Sequence, residues 1–308
     1  MKKSLSAHLP DRCYIATALL CFCTFISGIV YAQDSILLIR KGANLTKISD
    51  QFKFTEGPAA DRKGNVYFTD QPNNTIWRYD TKGKLTLFMS GAGRSNGLFI
   101  DKKGNLISCA DENNELWQIS TSKATKVLAS GYGNKRLNGP NDLWIHPNGN
   151  IYFTDPFYKR DYWKRSEQEQ RGMYVFVYNF KTKTIAPVDT TLQRPNGIVG
   201  SRDGKQLFVA DIAGNKTYRY DVSPDGSLTN KQLFVNQGSD GMTIDRAGNI
   251  YLTGKGITVY NAAGNKITNI PVPANWTANV CFSGKNNDVL FITASESIFT
   301  LQMKVKGN

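Results

Sequence analysis

The sequence predicts an all-β fold: a six-bladed β-propeller with a central channel. Three observations predict it. A turn-and-strand motif recurs six times along the 308 residues. Its period of about forty-five residues holds four short strands, which is the length of a propeller blade. The composition includes 27 glycines, 14 tyrosines and 16 phenylalanines, which suits short strands joined by tight turns and excludes a helical bundle or coiled coil.

The chain opens with a segment that reads as a leader. Lys2 and Lys3 are followed by an apolar run from Tyr14 to Val30, and Val30-Tyr31-Ala32 forms a small-residue cleavage site before Gln33. Residues 1–32 are therefore expected to be a secretory signal, and residues 33–308 a single propeller domain. The run is too short for a good spanning helix, although retention as an anchor is the alternative. The expected location is periplasmic or secreted, without stable membrane insertion once the signal is cut.

The motif is clearest at Asp61-Arg-Lys-Gly-Asn-Val-Tyr-Phe-Thr-Asp70. It returns from Asp101, from His146, from Ser201 with one extra residue, from Asp245, and in degenerate form from Gly284. A short apolar strand enters each turn and the motif strand leaves it. Thr75–Tyr79, Glu115–Ile119, Met173–Tyr178, Thr217–Tyr220 and Ile257–Tyr260 supply third strands, and segments such as Leu85–Phe88 supply fourth ones. Part of Gln33–Ser49, which precedes the first copy, is expected to join the last blade as its outer strand and close the ring. The longest insertion, Tyr158–Arg171, falls between the second and third strands of blade three and is expected to overhang one face.

The formal charge is +13, from 38 basic and 25 acidic side chains. Removing residues 1–32 takes away Lys2, Lys3, Arg12 and Asp11 and leaves +11. The basic residues come singly or in pairs, such as Lys159–Arg160 and Lys164–Arg165, so no nucleic-acid partner is expected. Cys109 and Cys281 remain after the leader. A disulfide between them is conceivable in an oxidising compartment, but both lie in apolar strand-like runs, and two buried free thiols are the plainer reading. The one histidine after the leader, His146, sits at a blade turn. A His-based triad has little support, no G-x-S-x-G elbow occurs, and no phosphate-cradling loop is present.

The chemistry lies just before each inner strand. Five residues ahead of the six turn motifs stand Glu56, Asn96, Asn141, Asn196, Asp240 and Asn279. In a propeller, equivalent positions form a ring around the channel. All six are carboxylate or amide, so the ring offers oxygen donors to one central space. Glycine follows Glu56, Asn96, Asn196 and Asp240, which permits close backbone approach at the channel mouth. An oxygen-only donor set suits a hard cation such as calcium, and the lack of histidine and cysteine argues against zinc. The bland alternative, in which Asn and Asp only cap turns, weakens when six polar residues fall in phase.

These motifs resemble those of the regucalcin/gluconolactonase family. Thr55-Glu-Gly-Pro58, Ser95-Asn-Gly-Leu98, Arg136-Leu-Asn-Gly-Pro-Asn-Asp142, Tyr152-Phe-Thr-Asp-Pro156, Arg194-Pro-Asn-Gly197 and Ser239-Asp-Gly-Met242 follow in that family's order, over nearly the whole chain after the leader. The resemblance implies a six-bladed propeller with one divalent cation at the channel mouth. Calcium is the first expectation, and zinc, manganese or magnesium are the alternatives. It implies Glu56, Asn196 and Asp240 as metal ligands, Asn141 beside them touching metal or substrate, and Asp240 also as acid/base. Animal regucalcins have a substrate-contacting arginine where this chain has Gly139, so the bacterial gluconolactonase type is the closer match.

The expected activity is hydrolysis of a sugar lactone such as gluconolactone, with a small-molecule substrate and a monomeric enzyme. Calcium would polarise the carbonyl, and Asp240 would take the proton from water and return it to the departing oxygen. Asn96, Asn141, Arg136 and Tyr158 are the candidate substrate contacts, with a surface cation the plainer reading of Arg136 and ordinary loop packing an equal reading of Tyr158. Asp70, Asp155 and Asp211 end their strands and are read as structural. The competing readings are a metal-dependent esterase or lactonase with another substrate, and a non-catalytic propeller that binds a glycan or protein.

Overall fold

The computed structural model describes residues 38–308. The leader assigned to residues 1–32 lies outside them, and none of the described helices is long and apolar enough to cross a membrane.

Six four-stranded antiparallel sheets stand in chain order. Their inner strands are Thr55–Ala60, Ser95–Ile100, Leu143–Ile145, Pro195–Gly200, Met242–Ile244 and Thr277–Ser283. Each touches the inner strand of the next blade, and the sixth returns to the first. The ring is therefore closed, which leaves no inner edge to pair with another chain. The clasp is the expected one: Thr46–Ser49 pairs antiparallel with Ser297–Gln302 as the outer strand of blade six, and Ile39 bridges Met303.

The turns explain themselves from the motif. Asp61 Oδ1 accepts the amides of Lys63 at 2.8 Å and Asn65 at 2.9 Å, and its Oδ2 takes the Asn65 side-chain amide at 2.7 Å. Asp101 and Asp245 repeat this arrangement. Side-chain capping of this kind makes the turn local and cheap to form. The glycine in each copy has positive φ, as at Gly64 (+85°), a conformation that most residues avoid.

The core is divided into wedges, one at each blade-to-blade interface. Phe153 and Phe176 of blade three pack with Ile107 and Leu116 of blade two. Phe52, Val66 and Phe68 of blade one meet Phe291 and Ile298 of blade six. A buried side chain of this size contributes about 1.5–3 kcal/mol, so closure is as well supported by burial as any other interface. Cys109 is buried, Cys281 half-buried, and both are free thiols. The channel end bearing the turns opens into a cavity of 690 Å³ lined by Phe99, Trp144, Phe282 and His146, among others. His146 bonds the Gly204 carbonyl there, at the opposite end from the ring of carboxylates and amides.

Candidate active site

The inner strands break register at the ring position. The ladder slips between Glu56 and Ala59, Ser95 and Leu98, Pro195 and Ile198, and Thr277 and Asn279. In blades three and five it begins only after Asp142 and Gly241. A bulge re-aims its side chains, so each blade turns a polar group out of the pleat at this level. Gly57, at φ +46°, makes this possible in blade one, because a Cβ there would strike the Asn96 carbonyl. At Gly241 a Cβ would overlap the Asn279 side chain.

The end of the Tyr-Phe-Thr-Asp motif holds this layer in place. Thr69 Oγ1 donates to the Asn96 carbonyl at 3.0 Å, Thr154 to the Asn196 carbonyl at 2.8 Å, and Thr253 to the Ala278 carbonyl at 2.8 Å. Each bond crosses to the next blade. The following aspartate pins the approach to its own inner strand. Asp70 accepts the Lys53 and Phe54 amides, Asp155 those of Asn138 and Gly139, and Asp211 those of Gln193 and Arg194. These three aspartates are structural, as read from their phase.

Three carboxylates gather behind this scaffold. Glu56 is 3% exposed and Asp142 7%. Asn279 Nδ2 lies 3.3 Å from Glu56 Oε2 and 3.4 Å from Asp142 Oδ2, so it bridges them. Glu56, Asp142 and Asn279 each also accept the amide of the next residue, at 2.9, 2.9 and 2.8 Å. Asp240 Oδ2 accepts the Trp276 indole N–H at 2.6 Å. Asn196 Nδ2 donates to the Tyr158 hydroxyl at 2.9 Å, which leaves its Oδ1 free.

Burial pushes the Glu56 carboxyl far above the usual range, and the charges of Asp240 and Asp142 push it further. Burial raises Asp142 to about 7. It raises Asp240 to about 6 against the opposing pull of Trp276, Asn196 and Arg160. None of the three has a salt bridge among the described residues. A cluster of acids of which two are buried and none is ion-paired is costly unless a cation neutralises it. No three His, Cys, Asp or Glu side chains form a ready metal cage among the described residues. The donor set is mixed instead: carboxylates with the amide oxygens of Asn196 and Asn141. That chemistry fits calcium, which accepts carboxylate and amide oxygens together.

Asn96 is buried on the inner strand of blade two, and Asn141 is buried just ahead of that of blade three. Their backbones are joined by the Gly97 amide, which donates to the Asn141 carbonyl at 2.7 Å. The insertion covers this face. Tyr158 reaches Asn196, while Arg160 Nε and the Tyr162 hydroxyl converge on Asp111 Oδ2 at 2.7 and 2.6 Å. Trp163 donates to the Asp111 carbonyl at 3.0 Å. A Cβ on Gly139 would stand 2.5 Å from Asp111 Oδ1 and 3.0 Å from Trp163, so the insertion fills the room a side chain would need there.

Arg136 is not brought to the ring. It is exposed on a small hairpin and pairs with Glu169 at 2.9 Å. It lines an outer groove of 580 Å³ with Glu112, Trp163 and Arg165. Two groups escaped the sequence reading. Asp142 stands beside Asn141 in the Asn-Asp pair, and counting one position per blade passed over it. Trp276 lies three residues before Asn279, where the other repeats carry Lys53, Gly93, Asn138, Gln193 and Gln237, so no recurring residue type marks it.

The geometry can be set beside known proteins. Residues 54–296 match the model of the SMP-30/Gluconolactonase/LRE-like region. A gluconolactonase of Zymomonas mobilis is 26% identical over 291 residues, covering 84% of this chain and 81% of that protein. The solved structure of a gluconolactonase from Xanthomonas campestris superposes with a TM-score of 0.80 at 23% identity, covering 87% of this chain and 91% of that one. Regucalcin from Agrobacterium tumefaciens, a calcium-binding protein, superposes at 0.73 with 18% identity, over 86% and 96% of the two chains. The last two likenesses concern the fold. The family model spans most of this chain and every blade that bears a ring residue, so the chain belongs to the SMP-30/gluconolactonase/LRE-like family.

Proposed function

We propose that this chain hydrolyses sugar lactones such as gluconolactone to the aldonic acid, with a divalent cation, calcium first, held by Glu56, Asn196, Asp240 and Asn141. The observation that carries this reading is the pair of buried carboxyls Glu56 and Asp142 with the half-buried Asp240 beside them, none of the three in a salt bridge among the described residues. When bound, the cation supplies the missing countercharge and a Lewis acid for the lactone carbonyl.

The chain's own groups supply the rest. Asp240 takes a proton from the attacking water and returns it to the ring oxygen as the C–O bond breaks, which turns lactone and water into the hydroxy acid. The Trp276 N–H holds one oxygen of Asp240 and so sets the carboxylate plane. Asn96 and Asn141 present amides to the sugar hydroxyls, and Tyr158 stands over the mouth on Asn196. Export of the mature chain from Gln33 to the periplasm or medium is supported by the leader, and N-terminal sequencing of the exported protein tests it.

Proton release from glucono-δ-lactone, followed above the spontaneous rate, tests the activity. Turnover is expected to stop with EDTA, to return with calcium, and to be absent from Glu56→Ala and Asp240→Asn. Unchanged hydrolysis by Asp240→Asn with metal bound would remove its role as base. No turnover on any lactone, despite cation binding, would leave a binding propeller.

A further inference from the structure

The residue two places before the ring position is arginine in two blades: Arg94 before Asn96 and Arg194 before Asn196. Both carry a tyrosine of the insertion. The Arg94 guanidinium lies 4.4 Å from the Tyr162 ring centroid, and that of Arg194 lies 5.2 Å from Tyr158. In both, Nε is buried with no hydrogen-bond partner.

There the likeness ends. Arg94 donates to the Pro72 carbonyl at 2.8 Å and lies 3.7 Å from Glu112. Arg194 has no salt bridge among the described residues, and its side chain donates to no protein acceptor there. Arg160, 5.5 Å from the same Tyr158 ring, spends its Nε on Asp111. Anchoring the insertion therefore accounts for Arg94 and Arg160, and leaves the charge of Arg194 unanswered.

The backbone of Arg194 is also fixed beside Asn196. Its amide donates to Asp211 at 2.9 Å, its carbonyl accepts from Ile212 at 3.0 Å, and Pro195 restricts its backbone. The tyrosine it stacks on is hydrogen-bonded to Asn196. A guanidinium is always charged and presents a fork of donors that matches an acidic oxygen pair.

We infer that Arg194 is a specificity-determining residue, and that the preferred substrate is a sugar lactone bearing a second, ionised acidic group, carboxylate or phosphate, which Arg194 binds. This deepens the lactonase reading and rests on it.

The test compares kcat/KM for neutral glucono-1,5-lactone, for glucaro-1,4-lactone and for 6-phosphoglucono-lactone in calcium buffer. Wild type is expected to favour one acidic lactone over the neutral one, and the choice between the two acids identifies the group. Arg194→Ala should cut that preference about ten- to a hundredfold, mainly through KM. Arg194→Lys should restore part of it. Arg94→Ala, which loosens the same insertion, should leave the ratio in place. Calorimetric binding of glucarate and of 6-phosphogluconate provides a readout without turnover, and Arg194→Ala should weaken one of them by a similar factor. Equal preference and equal binding in wild type and Arg194→Ala would overturn the inference while neutral-lactone turnover upheld the hydrolase. Absence of all turnover would sink the hydrolase, and the binding comparison would still decide the role of Arg194.

Discussion

Trp276 donates its indole N–H to Asp240 at 2.6 Å, across the interface between blades five and six. The bond is charge-assisted and fixes which way the carboxylate faces. Trp276→Phe keeps an aromatic ring and removes the donor. Loss of a hydrogen bond to a charged group is worth about 1.5–3 kcal/mol. We expect kcat on gluconolactone to fall about ten- to a hundredfold, with the melting temperature within a few degrees of wild type. Unchanged kcat would show that Asp240 needs no such positioning.

Asp142 places a third carboxyl in the cluster, joined to Glu56 through the shared Asn279. Asp142→Asn relieves repulsion in the cation-free protein and lowers the charge offered to a cation. In EDTA the variant should melt at or above the wild-type temperature. In calcium its stabilisation should be smaller, with affinity weaker by about tenfold or more. A calcium titration followed by thermal melting measures both, and equal calcium stabilisation in the two proteins would exclude Asp142 from the cation's electrostatics.

Asp111 ties down the insertion through Arg160 and Tyr162. Its side chain is 2% exposed, so removing it leaves Arg160 without its partner in a half-buried place. Breaking a buried pair from one side costs about 3–5 kcal/mol, here locally. Asp111→Ala should let trypsin cut at Lys159, Arg160, Lys164 or Arg165 much faster than in wild type, with the blades intact. Equal digestion rates would mean that other contacts hold the insertion.

Asp189 gives a pH test away from the site. Burial alone would raise its carboxyl, but hydrogen bonds from Lys231, Tyr220 and Thr191 outweigh that and hold it below the usual range. Lys231 lies 2.8 Å away and Tyr220 donates at 2.6 Å. A depressed folded-state pKa contributes stability above the unfolded value, near 3.9, that is lost as pH falls through the folded one. Asp189→Asn should cost about 1–3 kcal/mol at pH 7, and its deficit against wild type should shrink below about pH 4. Denaturant melts from pH 3 to 7 measure it, and a deficit that stays constant across that range would contradict the linkage.

The parts of the molecule legible in sequence are those that repeat. The Asp61 turn recurs because each blade solves the same local problem, and six copies reveal both the blade count and the ring. The clasp at Thr46–Ser49 followed from an apolar segment left over before the first copy. Asp142 was hidden by the count itself. It lies one residue past the ring position, just before the ladder of blade three begins at Leu143, so one position per blade sees Asn141 and misses its neighbour. Trp276 and the Asp111–Arg160 pair were hidden for another reason: their partners lie far away in sequence and in no repeating phase. Arg136 is the converse case. Its place near a ring motif suggested a mouth residue, but the hairpin Gly131–Arg136 carries it outward to Glu169.

The clasp also orders events in time. Thr46 pairs with Thr300, so the circle cannot be completed until nearly the last residue has been made. Asn279 meets Glu56 only across that same seam. The two ends of the chain must find each other before the acidic cluster exists as a unit, and such long-range pairing is the slow kind. The proposed cation site would then be the last part of the molecule to form, and its completion would mark a finished circle.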